Sequence, residues 1–366
     1  MDNNLKNNAN GQLIGEREGF TIFDSALACI VFIIMTNVFS FVLGLSGIKL
    51  QSGTFVYYFV HALSELMFAV SAIILIYSRK KNMVVDTGMN NKINGKIVAW
   101  CFLVSFVSIL GFGNLTNVFI EILTLLGYSS ILGSIELNTF GQYIGMLISS
   151  CLIAGFAEEL LFRGVIQSGF KKWGIRISVI VSALIFMLMH GNAEQTVHQF
   201  IIGVVIGYVF YKTGNLWIGV LIHMFNNFIP ITQAYLLSLV PETEVVTETV
   251  TIQLNAGVVF MDLIVALLTA WAGYYIIKLI LRKVFHENEK LNGNKNTNDT
   301  LTSIKVDGDE THVEMSIEGE QVSADLDTSV KTERPKMSKL TIVLFAVAGI
   351  YLIGTWGFYT LMGFLA

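Results

Sequence analysis

Residues 140–170 read FGQYIGMLISSCLIAGFAEELLFRGVIQSGF, and this stretch decides the fold. It is long enough for a helix that crosses a bilayer, whose apolar core asks for about 20 residues. Its only charges are Glu158, Glu159 and Arg163. A carboxylate near the bilayer centre costs about 3 kcal/mol by insertion scales. Two carboxylates and a guanidinium held there imply partners on neighbouring helices, or a task.

The rest of the chain supplies the membrane setting. Of its 366 residues 54% are hydrophobic and only 14% charged, with a mean hydropathy of +0.64. An ordinary soluble domain is about 25% charged. The apolar runs last about 20 residues and lack the alternation of a β-barrel strand. The fold class is therefore all-α, a polytopic integral membrane protein of about eight or nine transmembrane helices. Candidate spans cover 20–47, 55–78, 96–115, 138–168, 176–191, 197–211, 214–240, 256–281 and 340–364, with 116–128 as an interfacial or re-entrant segment. Cys29, Cys101 and Cys151 fall in apolar runs without metal-ligand spacing and read as buried free thiols. The first apolar run is too long for a cleaved signal and reads as an anchor. The net charge of −4 gives no reason to expect a nucleic-acid partner.

Charge orders the spans. Lys and Arg mark the cytoplasmic side. With the N-terminus inside, one side holds Lys6, Arg17, residues 79–96 with five cations, Lys171, Lys172, Arg176, Lys212, Arg282 and Lys283; the other holds only Lys49. This places the protein in the cell membrane, with the N-terminus cytoplasmic and the C-terminus extracytoplasmic. The domain reading follows: transmembrane helices in 1–137, a four-helix catalytic core in 138–240, a further helix in 241–283, an acidic linker in 284–338 and a last helix in 339–366. The linker carries 12 of the 27 acidic residues and reads as unstructured, with a weakly alternating stretch, 303–326, that a small hairpin would also explain.

Helical spacing gives the polar groups different neighbours. Glu159 and Arg163 are four apart and stack one turn above each other, an ion pair in the making. Glu158 lies about 140° from Arg163 and needs another partner. His190 follows Phe186 by one turn, so the ring can pack beside the imidazole. His223 and Asn227 share a face. By rise along their helices, Glu158, His190, His223 and Asn227 reach similar depths. A Glu and a His can activate water; a second His and an amide can hold an oxyanion. A Glu with two His can also hold zinc, although no H-E-x-x-H motif is present.

Glu158-Glu159-x-x-x-Arg163, Phe186-x-x-x-His190 and His223-x-x-x-Asn227, in that order on separate spans, resemble the three motifs of the CAAX-protease and bacteriocin-processing (Abi, or CPBP) family, the group of the type II CAAX prenyl endopeptidase. The link FIIGVVIGYVFYKTGNLWIGVLIHMFNN, Phe200 to Asn227, is similar too. The resemblance covers about 145–230. It implies an intramembrane endopeptidase in which Glu158 and His190 activate water, His223 and Asn227 hold the oxyanion, and Glu159 and Arg163 are required. It favours a metal-free mechanism with no cofactor, leaving zinc as the alternative. It also implies a protein or peptide substrate, prenylated or leader-bearing.

Blander readings stand beside these. A buried Glu–Arg pair is often structural, and Glu159 with Arg163 is given both roles. His61 and Glu65, four apart in the second span, read as a helix-packing pair or part of a cavity wall. His198 is a candidate for the site entrance. Asp24, Glu121 and Asp262 read as interfacial. Gly203 and Gly207 read as a close-packing face within one molecule. A proton-coupled transporter and a non-enzymatic immunity or scaffold protein are the competing functions.

Overall fold

The structure is a computed structural model that describes residues 5–7, 13–15, 19–130, 137–240, 254–293, 303–307, 310–317, 320–323 and 336–366. Ten helices make up its body: α1 Ile22–Ser46, α2 Phe55–Ser78, the single turn α3 Met83–Asp86, α4 Gly95–Leu125, α5 Phe140–Gln167, α6 Ile175–Met189, α7 Thr196–Thr213, α8 Leu216–Ser238, α9 Ala256–Asn292 and α10 Lys339–Leu365. Six of them (α1, α2, α4, α5, α9 and α10) are long and apolar enough to cross a membrane. The protein is an all-α polytopic membrane protein, as its composition predicts.

Polar caps start these apolar helices. Thr21 caps α1 in a reciprocal box with Asp24, and Thr139 does the same for α5 with Gln142. Asn94, Asn215, Asn255 and Ser338 cap α4, α8, α9 and α10 through side-chain oxygens. Each cap satisfies an amide that lipid could not.

Helix α5 lies at the centre. Its most apolar window is 56% buried inside the protein, against 17% for α9 and for α10. The outer helices present Leu267, Leu268, Trp271, Ile350 and Ile353 to the surroundings, as lipid-facing surfaces do. α4 and α9 cross where Gly111 meets Gly273; a Cβ on Gly111 would sit 2.9 Å from the Gly273 Cα.

The two ends of the bundle sort by charge. At one end Asp24 pairs with Arg79 at 2.5 Å, Asn215 donates to the Lys92 carbonyl and to Asn288, and Asn91 donates to the Gly214 carbonyl. At the other, Gln142 donates to the Gly53 carbonyl, Tyr143 bonds Thr232, and the Ser129 amide donates to the Gly363 carbonyl. The segments expected to share the cationic side thus meet at one end. Asp24 is fully buried there, with Arg79 and the helix cap as partners, rather than open at the interface.

Three expectations change. Residues 116–125 do not re-enter; they continue α4 as one 31-residue helix. The reason is its partner: Val118 packs against Val259 and Ala266, so α9 covers α4 beyond the predicted end. α9 in turn runs past residue 284, the predicted start of the linker, to Asn292, because Asn288 is buried against Asn215 and Asn292 donates to the Lys92 carbonyl. Within the expected unstructured linker, Ser303–Asp307, Glu310–Ile317 and Glu320–Ser323 pair as an antiparallel meander, as the alternating residues allow. Leu5–Asn7 also pairs with Leu13–Gly15. The remainder, 294–302 and 324–335, lies outside the described residues.

Candidate active site

The site is built on α5, whose backbone is not a regular α-helix. Leu147–Ile153 and Leu160–Gln167 are π-helical, flanking the α-helical turn Ala154–Glu159 that carries both glutamates. Such widened turns are uncommon and recur at functional sites. They present carbonyls to side chains of other helices. Asn227 on α8 donates to the Ser150 carbonyl at 2.7 Å, Ser25 on α1 to the Ile166 carbonyl at 2.8 Å, and Ser178 on α6 to the Gln167 carbonyl at 3.2 Å.

Glu159 and Arg163 form the expected pair. Arg163 Nη1 donates to Glu159 Oε1 at 2.9 Å, and both side chains are fully buried. The same Oε1 lies 2.8 Å from His223 Nδ1. Arg163 Nη2 donates to the Gly203 carbonyl, and one turn on Gln167 donates to the Gly207 carbonyl. The G-x-x-x-G face of α7 therefore admits two side chains of α5 onto its backbone. A Cβ on Gly207 would lie 3.1 Å from Gln167 Oε1. Gly219 of α8 plays a similar part: its Cβ would lie 3.1 Å from Glu159 Oε2.

Glu158 faces the other way, as its 140° offset requires. It is 5% exposed, so it is turned from lipid into the protein. Its Oε2 lies 3.9 Å from His190 Nε2. His190 is the residue after the last turn of α6, and its Nδ1 is fixed 2.8 Å from the Phe186 carbonyl. Phe186 packs edge-on against both imidazoles, with ring centroids 4.7 Å from His190 and 5.9 Å from His223, and the Arg163 guanidinium sits 4.8 Å from its centroid. This one ring spaces three charged or chargeable groups.

Four of the six expected site residues thus pack around Phe186 or Glu159, and Glu158 reaches His190. Asn227 is placed differently. Its bond to Ser150 is made two turns of α5 above Glu158, and one of its two amide hydrogens is committed there. Next to it, Asn226 is buried and bonded to His198 Nε2 at 3.0 Å. His198 therefore belongs to the interior of the site, not merely to its entrance. Asn226 was not singled out from the sequence, because two adjacent Asn on a helix give no sign of which one points inward. Glu65 of α2 lies 3.8 Å from His61 through its Oε1, and its buried Oε2 has no hydrogen-bond partner among the described residues.

Zinc is the other chemistry that a Glu and two His allow. The donors do not fit it. Among the described residues no three His, Cys, Asp or Glu side chains are grouped to hold a metal ion.

Residues 140–229 match the family described as type II CAAX prenyl endopeptidase Rce1-like. The match spans 90 of the chain's 366 residues. The Rce1-like segment runs from the start of α5 into α8 and contains all six expected site residues. The matching family is one of CAAX-type endopeptidases, which supports protease activity at the family level. Helices α1–α4, α9 and α10 lie outside the match. No curated protein and no solved structure matches the chain.

Proposed function

We propose that the protein is an intramembrane endopeptidase that cleaves a peptide bond with water activated by Glu158 and His190. The observation that carries the reading is the 3.9 Å between Glu158 Oε2 and His190 Nε2, with Glu158 buried inside the protein. The two atoms are too far apart for a direct bond, and one water fits in contact with both. Glu158 takes the proton as the water oxygen adds to the scissile carbonyl. His190, held through Nδ1 by a backbone carbonyl, presents Nε2 to the same water.

The oxyanion needs donors placed in advance. His223 is oriented by Glu159 through Nδ1, which leaves Nε2 for the substrate. A neutral imidazole that donates from Nδ1 has no hydrogen at Nε2. His223 therefore donates to the oxyanion as an imidazolium, whose charge the Glu159 carboxylate balances. Asn227 offers its second amide hydrogen. Glu159 and Arg163 serve as the frame that aims His223. The substrate is a protein or peptide reaching the site from the bilayer, prenylated or leader-bearing. The N-terminus lies on the cytoplasmic side, by the cationic end of the bundle.

The test uses purified protein in lipid nanodiscs and a fluorogenic farnesylated peptide ending in a CAAX sequence, with an unlipidated leader-bearing peptide as the second probe. Cleavage of either by wild type, lost in Glu158→Gln, supports the reading. Cleavage by Glu158→Gln at the wild-type rate would sink it.

A further inference from the structure

The end of the bundle where Asn91 meets Gly214 holds a cavity of about 440 Å³. It is far larger than one water needs, about 30 Å³ in the liquid. Its walls are the residues just before α1, the turn α3, the end of α5 and the end of α7. None of the six expected site residues lines it, and peptide hydrolysis gives it no task.

Two opposite charges line this cavity, Asp86 and Lys171. The Asn82 amide donates to Asp86 Oδ2 at 2.6 Å within the α3 turn. Among the described residues neither charge forms a salt bridge, with the other or with a third group. Gln167, only 1% exposed, is part of the same wall. Its amide nitrogen donates to the Gly207 carbonyl at 2.6 Å, and its Oε1 has no donor among the described residues. Buried polar groups are ordinarily paired, so an orphaned acceptor in a cavity wall calls for a donor from outside the protein.

Burial orders these groups by depth. Lys171 is exposed, Asp86 half-buried and Gln167 fully buried. An anion suits the mouth, and a cation that carries N–H donors suits the interior. Phe20 and Phe210 supply apolar wall. The molecule that fits has an ammonium at its tip, an anion behind it and an apolar body beyond. The cavity lies where α1 begins and α5 and α7 end, the level at which a bilayer presents its headgroups.

We propose that this cavity binds the headgroup of an aminophospholipid: the ammonium meets Asp86 and Gln167 Oε1, and the phosphate meets Lys171. A choline headgroup carries the same charges without an N–H and leaves Gln167 unserved. A purely anionic headgroup gives Asp86 repulsion in place of a partner. The bound headgroup also braces α5. Gln167 is the last residue of its second π-helical stretch, one turn after Arg163, and Ser168 Oγ donates to the Arg163 carbonyl at 2.9 Å. The binding site stands whether or not the protein is a peptidase.

The test is native mass spectrometry of the full chain in detergent, titrated with phosphatidylethanolamine, phosphatidylcholine or phosphatidylglycerol of identical chains. Wild type is expected to bind one phosphatidylethanolamine about tenfold more tightly than either of the others, as a charge-assisted hydrogen bond would give. Asp86→Asn keeps an acceptor for the Asn82 amide and should cut the preference over phosphatidylcholine to about twofold or less. Lys171→Met should weaken the ethanolamine and choline lipids alike; Lys172→Met, outside the cavity, should weaken neither. Equal affinity of wild type for the ethanolamine and choline lipids would overturn the proposal, as would an unchanged preference in Asp86→Asn. Should Asp86→Asn fail to fold, the wild-type preference and the two lysine variants decide: equal losses in both lysine variants count against the site. O-phosphoethanolamine, the headgroup without chains, is the last titrant. Binding as tight as that of the lipid would overturn the lipid assignment in favour of a soluble phosphoamine.

Discussion

Glu158 and Glu159 are adjacent in sequence and opposite in circumstance. Glu159 is held by Arg163 and His223 at 2.9 and 2.8 Å; Glu158 has a buried Oε2 with no hydrogen-bond partner and a histidine 3.9 Å away. Their isosteric substitutions should separate. Glu158→Gln is expected to reduce cleavage by about 10²–10⁴-fold, the usual range for a lost general base. Its melting temperature should be equal to or above wild type, because the amide removes a buried carboxylate whose Oε2 has no hydrogen-bond partner to lose. Glu159→Gln strands a fully buried Arg163 and should cost about 3–5 kcal/mol. A clear fall in melting temperature, read by intrinsic fluorescence in detergent, should accompany its loss of activity. Equal melting temperatures for the two variants would contradict this division. The Glu159–Arg163 contact was legible because four-residue spacing on one helix needs no knowledge of other helices. The bond between Glu159 and His223 was not, since spacing within α5 cannot say which helix lies beside it.

At the scale of the element, the unusual part is the backbone of α5. Its π turns are braced from three helices, and the brace at Ser150 is Asn227 itself. Asn227→Ala removes that brace along with any oxyanion contact. It is expected to lower both stability, by about 1–3 kcal/mol for a buried carbonyl left without its donor, and kcat. Asn227→Asp cannot donate and should not rescue either. The glycines of α7 and α8 are a second device. Gly219→Val would drive a side chain into Glu159 Oε2 and Ile206, which would lie 3.1 and 3.0 Å from the new Cβ. Overpacking of this kind costs about 1–3 kcal/mol. It should slow cleavage more than Gly113→Val, where a Cβ meets nothing within 4 Å. Comparable losses in the two variants would show that Gly219 is not shaping the site. G-x-x-x-G in α7 was readable as a close-packing face; that it receives Arg163 and Gln167 on its carbonyls depends on the register of two helices.

Across the molecule, helices beyond the Rce1-like segment hold the site in place. α2 packs along the turn of α5 that carries both glutamates, and α10 covers the turn after His190. Trp356 donates to Thr196 at 2.9 Å, and Gly191 faces Thr355 and Tyr359. Removing residues 339–366 should therefore lower the melting temperature and weaken cleavage. Trp356→Phe, which loses one hydrogen bond of about 0.5–1.5 kcal/mol, should do so mildly. Full activity in the truncated protein would show that α10 is an anchor only. Orientation is tested by fusing a periplasmically active reporter after Ala366 and, separately, after Lys212. Activity at the first position and none at the second is expected; the reverse would invert the assignment.

The sequence alone determined that the chain carries membrane-spanning helices and where most of them begin, and it singled out the motifs proposed to carry chemistry. Apolar length, cation asymmetry and four-residue spacing are local quantities, so they survive without a fold. Tertiary structure decided the rest. It extended α4 along α9, widened the turns of α5, turned Asn227 onto a backbone carbonyl and brought His223 onto Glu159. Each of these depends on which helix packs beside which and in what register, and a run of apolar residues is nearly the same on every side.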